Sequence, residues 1–369
     1  MKILAEASVP YLKGIIEDMG EVTYLPSNQF TPETVADKEW LIVRSITKCT
    51  PSLLQNSKVK LITTATIGFD HIDTEYCHNN GIVWHNAPGC NAEAVGQWFG
   101  SVMAILQITN NITLHGTTLG IVGVGHVGSV IQRYAKALGC NVLLCDPPRA
   151  EAEGNQGFVS MQEIAQQCDI ITFHTPLTKT GPHATWHLLD HNWVHTLKRK
   201  PLIINACRGA VTCNQALTEG LQKGFIGNIV LDCWEGEPTP SPTLLQQVRL
   251  GTPHIAGFSA DGKANGARVC VGHGAEFFGI PAPRIQEMYP PAPQNPTINL
   301  AQYSNNRVAH ALLHTLDLRS VHNRLLTSNE EFEHQRRTYL YPREPQAFTV
   351  QGATSAEGEV LAQIGFQVV

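Results

Sequence analysis

Apolar residues in this chain come in short runs, and the stretches between them repeat at helical spacing. Over residues 1–95 the runs are Leu41-Ile42-Val43, Leu61-Ile62-Thr63-Thr64 and Ile82-Val83-Trp84, which predicts an α/β unit. Met1-Lys2-Ile3-Leu4-Ala5 predicts a further strand ahead of them. From 96 to 256 the runs are longer and richer in β-branched residues: Ile121-Val122, Val142-Leu143-Leu144, Ile170-Ile171-Thr172-Phe173, Leu202-Ile203-Ile204 and Ile229-Val230-Leu231. Runs of this kind fit strands buried on both faces, so this part predicts a Rossmann-type doubly wound parallel sheet. Past residue 280 the texture changes. The proline-rich stretch from Pro281 to Pro296 predicts a semi-rigid connector. The helical stretch Val308–Leu318 and the terminal Gly358–Phe366 predict a small α/β or α+β unit after it.

At 369 residues and 43% hydrophobic, the chain can build two or three domains with separate cores. Its formal charge of −5 gives no general attraction to nucleic acid or to an anionic membrane, so an anionic ligand has to be met by locally placed Arg or Lys. The 10 cysteines stand singly, without C-x-x-C pairs or zinc-type spacing, and are expected to be reduced; no metal site is expected. With no bilayer-length apolar run and an N-terminus that reads as a strand, a cytoplasmic location is expected.

Chemistry enters at Gly123-Val124-Gly125-His126-Val127-Gly128, which follows an apolar strand and opens a helix with Val127, Ile131, Tyr134, Ala135 and Leu138 at helical spacing. In a dinucleotide-binding loop Gly123 permits the tight turn, Gly125 lets the backbone approach the pyrophosphate, and Gly128 lets helix and strand pack closely. The next strand ends at Asp146. A carboxylate there accepts hydrogen bonds from the adenosine ribose and repels a 2′-phosphate, favouring NAD; the competing reading is that Asp146 merely opens the Pro147-Pro148 turn.

Ligands of open parallel sheets sit beyond the carboxyl ends of the strands, which singles out Thr175, Arg208, Asp232, Glu237 and His254. Oxidation of a 2-hydroxy acid needs a base for the hydroxyl proton, a cation for the carboxylate and a hydride acceptor. His254, Arg208 and NAD fill these roles, with Glu237 orienting the imidazole. Taken singly, His254 could be a loop histidine and Arg208 a surface ion-pair partner. His191 and His195, four apart without a third ligand, read as a solvated helix face.

These residues, with Val43-Arg44-Ser45, Thr64-Ala65-Thr66, Pro88-Gly89-Cys90-Asn91-Ala92, His174-Thr175-Pro176-Leu177, Asn205-Ala206-Cys207-Arg208-Gly209 and His254-Ile255-Ala256-Gly257, resemble the D-isomer-specific 2-hydroxyacid dehydrogenases over nearly the whole chain. The resemblance implies NAD-dependent oxidation of a phosphorylated 2-hydroxy acid, 4-phospho-D-erythronate, with Arg208, Glu237 and His254 catalytic. It also implies cofactor contacts at Gly123, Gly125, His126, Val127, Gly128, Asp146, Thr175, Ala206, Cys207, Arg208, Asp232 and Gly257, and substrate contacts at Ser45, Thr66 and position 258. By the same similarity, residues 1–95 with 257–285 form a flavodoxin-like lid or substrate domain, 96–256 the NAD domain, and 286–369 a dimerisation domain of a homodimer.

Four positions depart from the family pattern. Phe258 stands where Tyr is usual, which removes a donor worth about 0.5–1.5 kcal/mol. His126 replaces Asn, Gln97 replaces Glu and Asn265 replaces Arg. A phosphorylated substrate needs a cation besides Arg208; Arg44 is the candidate by motif, helped by an Arg from the tail of a partner subunit, with pairing of Arg44 to an acid of its own domain as the competing reading. Two other functions stay open: oxidation of a different D-2-hydroxy acid such as 3-phosphoglycerate, glycerate or glyoxylate, and a non-catalytic NAD-sensing protein on the same fold.

Overall fold

The structure is a computed structural model that describes residues 1–110, 112–281 and 284–369, so Ala282 and Pro283 of the proline-rich stretch lie outside the described residues. Internal contacts divide the chain into two compact units, Met1–Asn91 with Ser259–Ala292, and Ala92–Phe258 with Pro293–Val369.

The first unit is built on five parallel strands: β1 (Lys2–Glu6), β2 (Glu21–Leu25), β3 (Trp40–Val43), β4 (Leu61–Thr64) and β5 (Val83–His85), in the order β2-β1-β3-β4-β5. This is the flavodoxin-like order. Successive side chains of a strand point to opposite faces. Accordingly Ile3, Ala5, Trp40 and Ile42 enter one core while Leu4, Leu41 and Val43 enter the other. The first of these cores is closed by the Ala260–Phe278 helix, which returns to this unit from far along the chain. Close approach is possible because a Cβ at Gly266 would meet the Ala65 carbonyl at 2.8 Å and one at Gly274 would strike the Trp40 ring. Strand β2 was not among the apolar runs. It is an edge strand, only half-buried, and so carries no continuous apolar signal.

In the second unit β6 (Thr118–Val122), β7 (Asn141–Cys145), β8 (Ile170–Phe173), β9 (Leu202–Asn205), β10 (Asn228–Leu231) and β11 (Leu250–Gly251) form a parallel sheet in the order β11-β10-β9-β8-β6-β7. Every long run read from the sequence is a strand here, as the Rossmann-type expectation required. The chain leaves β6 toward β7 on one side and returns to β8 on the other, so a crevice opens at the carboxyl ends of β6 and β8. The Ala92–Asn110 and His126–Ala137 helices pack against each other where Gly96 lacks a Cβ that would meet Val130 at 2.6 Å.

The tail forms a small parallel sheet of β12 (Thr297–Asn299), β13 (Thr349–Gln351) and β14 (Gln367–Val368), in that order. Contacts group it with residues 92–258 rather than as a unit of its own. Leu312, Val350, Leu361 and Ile364 share one core with Phe99, Val102 and Tyr134, and Leu312 fits over Gly100, where a Cβ would lie 3.1 Å from it. The helix expected over Val308–Leu318 is two helices, Arg307–Thr315 and Arg319–Thr327. Leu316 is extended (φ −158°), and Asp317 takes the Arg319 N–H at 3.0 Å as well as its guanidinium, a local side-chain competitor that breaks the run.

Candidate active site

The glycine loop is defined by atoms it lacks. Gly123 turns the chain at φ +89°, and a Cβ there would sit 2.7 Å from the His174 carbonyl and 2.9 Å from the Thr175 methyl. The loop after β6 therefore presses on the end of β8 at the crevice. A Cβ at Gly128 would collide with the Gly123 carbonyl, so the helix starts against the turn. Gly125 faces open space, and as the residue that opens the His126–Ala137 helix it offers no side-chain cap to the first N–H groups. Unclaimed N–H groups at the positive end of a 12-residue helix suit a pyrophosphate. His126 is exposed at the first turn and Val127 half-buried behind it.

Asp146 opens the Pro147-Pro148 turn, the competing reading, and is also tied to the glycine loop. One oxygen accepts the Val124 N–H of the loop at 2.7 Å; the other caps the Pro147–Glu153 helix through the Arg149 N–H at 3.1 Å. Each carboxylate oxygen keeps a lone pair, so ribose hydroxyls could still be accepted. At the end of β8, the ring of His174 donates to or accepts from Thr172 at 2.8 Å, its Nδ1 is buried without a partner, and burial pushes its pKa down to about 3.

The end of β9 is braced from beneath. Asn205 is fully buried, and its amide nitrogen donates to the Arg208 carbonyl at 2.9 Å and to Thr212 at 3.1 Å, while its oxygen accepts the Cys207 N–H at 3.1 Å. Gly209 packs against the Trp234-Glu235 peptide so closely that no Cβ fits, which ties the Ala206–Arg208 turn to the loop after β10. The buried thiols of Cys207 and Cys233 have raised pKa values, with desolvation the main cause, so both stay protonated and offer no thiolate.

Asp232, at the end of β10, organises the segment that carries His254. It accepts Thr252 Oγ1 at 2.6 Å, the Ile255 N–H at 2.8 Å and the Ala256 N–H at 2.9 Å. Burial nevertheless raises its pKa, against the charge of His254 and these three bonds. Trp98 Nε1 donates to Thr252 Oγ1 at 3.0 Å, and Trp234 Nε1 to the Thr252 carbonyl at 2.9 Å. His254 itself lies in left-handed backbone, φ +54°, and Gly257 and Phe258 complete its turn through the Phe258 N–H to the Ile255 carbonyl at 2.8 Å.

His254 Nδ1 lies 2.7 Å from Glu237 Oε2, and Glu237 Oε1 accepts the Trp234 N–H at 2.7 Å. Burial works to raise the Glu237 pKa, but the hydrogen bond and charge of His254, the Trp234 N–H and the charge of Arg336 outweigh it and hold the carboxyl below its usual value. An ionised Glu237 can only accept, so Nδ1 carries the proton and Nε2 of a neutral His254 is left with its lone pair.

Residues of the chain's own tail reach this turn, where the sequence points only to an arginine from the tail of a partner subunit. Tyr341 meets the Phe258 ring edge-on at 5.8 Å, and the Arg336 guanidinium lies 5.7 Å from the centre of that ring. Gln97 is buried, and its amide donates to the Arg343 carbonyl at 2.8 Å; a Glu there could not, which accounts for that departure. No local spacing signals these contacts, since they join residues far apart in the chain.

Arg44, Ser45 and Thr66 belong to the first unit. Glu6, buried at the end of β1, accepts the Arg44 backbone N–H at 2.9 Å and Thr47 Oγ1 at 2.7 Å. The Arg44 side chain donates only to the Ser8 carbonyl at 3.3 Å among the described residues, and its Nε has no partner. Thr66 Oγ1 bonds Thr64 and the Gly68 carbonyl, each at 2.8 Å. Asn265 donates to the Cys90 carbonyl at 3.2 Å and accepts from Arg268. His191 and His195 both pair with Glu219 on an exposed helix face.

A crevice at the switch of a parallel sheet, a glycine loop that admits a pyrophosphate and a Glu–His pair at the strand ends define a nicotinamide-dependent dehydrogenase. Residues 95–256 match the D-isomer specific 2-hydroxyacid dehydrogenase, NAD binding domain. The chain belongs to the D-isomer specific 2-hydroxyacid dehydrogenase family, and its cofactor is NAD. More particularly, an erythronate-4-phosphate dehydrogenase of Porphyromonas gingivalis is 50% identical over 99% of this chain and 100% of its own length. One of Bacteroides thetaiotaomicron is 45% identical over 95% of this chain and 99% of its own. In fold, the chain is similar to the D-lactate dehydrogenase of Aquifex aeolicus solved with NAD and lactic acid, at a TM-score of 0.61 and 23% identity over 78% of this chain and 97% of that one.

Proposed function

We propose that this chain oxidises 4-phospho-D-erythronate to (R)-3-hydroxy-2-oxo-4-phosphooxybutanoate with NAD, a step in making pyridoxal 5′-phosphate (vitamin B6). The observation that carries the reading is the 2.7 Å contact of His254 with Glu237, set in a chain half identical over its whole length to a relative named for this reaction. NAD, when bound, accepts the hydride from C2 of the substrate. His254 Nε2 takes the proton of the C2 hydroxyl, so the alcohol loses a hydride and a proton and becomes the 2-oxo acid. Glu237 stabilises the imidazolium that forms and fixes the ring. Arg208 holds the substrate carboxylate, which a planar guanidinium does with two parallel bonds.

Around the cofactor, Gly123, Gly125, His126, Val127 and Gly128 receive the pyrophosphate, Asp146 the ribose, and Thr175, Ala206, Cys207, Arg208, Asp232 and Gly257 the nicotinamide half. On the substrate side we assign Ser45, Thr66, Phe258 and Arg44, whose side chain no acid claims among the described residues. The tail, with Leu340 88% exposed, is the surface proposed for a homodimer, and the cytoplasm the proposed location. Initial rates of NADH formation with phosphorylated and plain 2-hydroxy acids test the assignment. Turnover of 4-phosphoerythronate above the other acids is expected. Its absence would end the narrow reading, and NAD binding without turnover of any acid would point to a sensor.

A further inference from the structure

We infer that Arg336, from the tail of the same chain, is a phosphate-binding residue of the substrate site. The inference rests on the substrate class proposed above and adds a residue to it. Arg336 lies on the Phe332–Arg337 helix, within the unit that carries Arg208, Glu237 and His254. Its guanidinium lies 5.7 Å from the centre of the Phe258 ring, and Phe258 closes the turn that begins at His254. The positive charge is also felt at the half-buried Glu237 carboxylate, which it helps hold below its usual pKa.

This cation is poorly claimed by the protein. Its one ion pair among the described residues is a long one, with Glu333 at 3.7 Å, and Glu333 is held at 2.8 Å by Arg337 instead. Its Nε is buried and has no hydrogen-bond partner, although an unpaired buried donor is costly. A guanidinium kept beside a proton-transfer pair with donors unspent suits an anionic ligand. The substrate has two anionic ends: its carboxylate is met by Arg208, and its phosphate lies two carbons beyond the reacting C2. A phosphate monoester carries about −1.5 to −2 charge near neutrality and three acceptor oxygens, so it calls for a cation of its own beside the one on the carboxylate. Arg336 supplies a second cation, and its planar fork matches two of those oxygens.

The test compares 4-phospho-D-erythronate with D-erythronate, the same acid without phosphate, in wild type, R336Q, R336K and R337Q, with NADH binding by fluorescence as the check of folding. R336Q should raise KM for the phosphorylated acid about 10–100-fold with kcat changed less than about threefold, and lower the preference for the phosphorylated acid by the same factor. R336K, which keeps the charge and loses the fork, should fall between. R337Q should match wild type. An unchanged KM in R336Q overturns the inference, and so does an equal loss on both acids, which would assign Arg336 to the Glu237–His254 pair. If R336Q no longer binds NADH, R336K decides: a KM raised at least threefold for the phosphorylated acid alone supports the inference, and an unchanged KM overturns it. Failure of wild type to oxidise the phosphorylated acid would sink the proposed function instead.

Discussion

The glycine loop and the His254 turn lie at the same end of one sheet and are built in opposite ways. The loop is six consecutive residues, and its geometry follows from missing atoms: no Cβ fits at Gly123 or Gly128, and nothing occupies the space before Gly125. The turn is held by an excess of contacts. Asp232, Glu237, Thr252, Trp98 and Trp234 converge on it from separate segments to keep a non-glycine residue in left-handed backbone. Backbone N–H groups can receive a phosphate wherever the chain turns correctly. A proton acceptor must be placed to within a fraction of an ångström, and that takes a buried polar network.

The contrast yields predictions of decreasing size. His254→Ala should lower kcat about 10²–10⁴-fold and leave NAD affinity within about twofold, by steady-state rates and a binding titration; a parallel loss of NAD affinity would mean loop and turn are not separable. Leu312→Ala empties the seat over Gly100 and should cost about 2–5 kcal/mol in denaturant unfolding, with the whole second unit melting together if the tail is part of its core. Gly128→Ala forces the helix off the turn and should cost about 1–3 kcal/mol as well as most NAD affinity, while kcat at saturating NAD falls far less.

The fourth concerns pH. His174 has a folded pKa near 3 against an ordinary 6.5, so on acidification the unfolded chain takes the proton first. Its contribution to stability is complete above about pH 6.5 and declines as pH falls toward 3, by at most about 1.4 kcal/mol per unit. His174→Gln should flatten that part of the stability curve, and an unchanged slope would refute the assignment. The smallest effect is expected of Phe258→Tyr, which restores a hydroxyl and should lower KM about 2–10-fold.

Legibility in the sequence follows the same divide. Gly123, Gly125, Gly128 and Asp146 could be read directly because their meaning lies in their spacing along one strand–turn–helix. His254, Glu237 and Arg208 could be read as strand-end residues because parallel strands bring their carboxyl ends to one side. Asn205 beneath Arg208 simply follows the Leu202-Ile203-Ile204 run in the sequence, and only its side-chain hydrogen bonds reveal it as the brace of that turn. Arg336, Tyr341 and the Gln97–Arg343 bond were illegible because they join positions up to 246 residues apart. The break at Leu316 was missed for a different reason: the apolar periodicity continues through it, and Asp317 overrides it locally.

The interleaving of the two units has a consequence for synthesis. As the chain leaves the ribosome, the first sheet emerges early but must wait for the Ala260–Phe278 helix to cover Trp40, and by then all of 92–258 has been made. The second core in turn lacks Leu312, Leu361 and Ile364 until more than a hundred further residues have followed that helix's start. Neither half can mature on its own schedule, so a nascent chain arrested anywhere before about residue 364 exposes apolar surface from at least one core. The two cores are therefore completed by segments made long after the strands they cover.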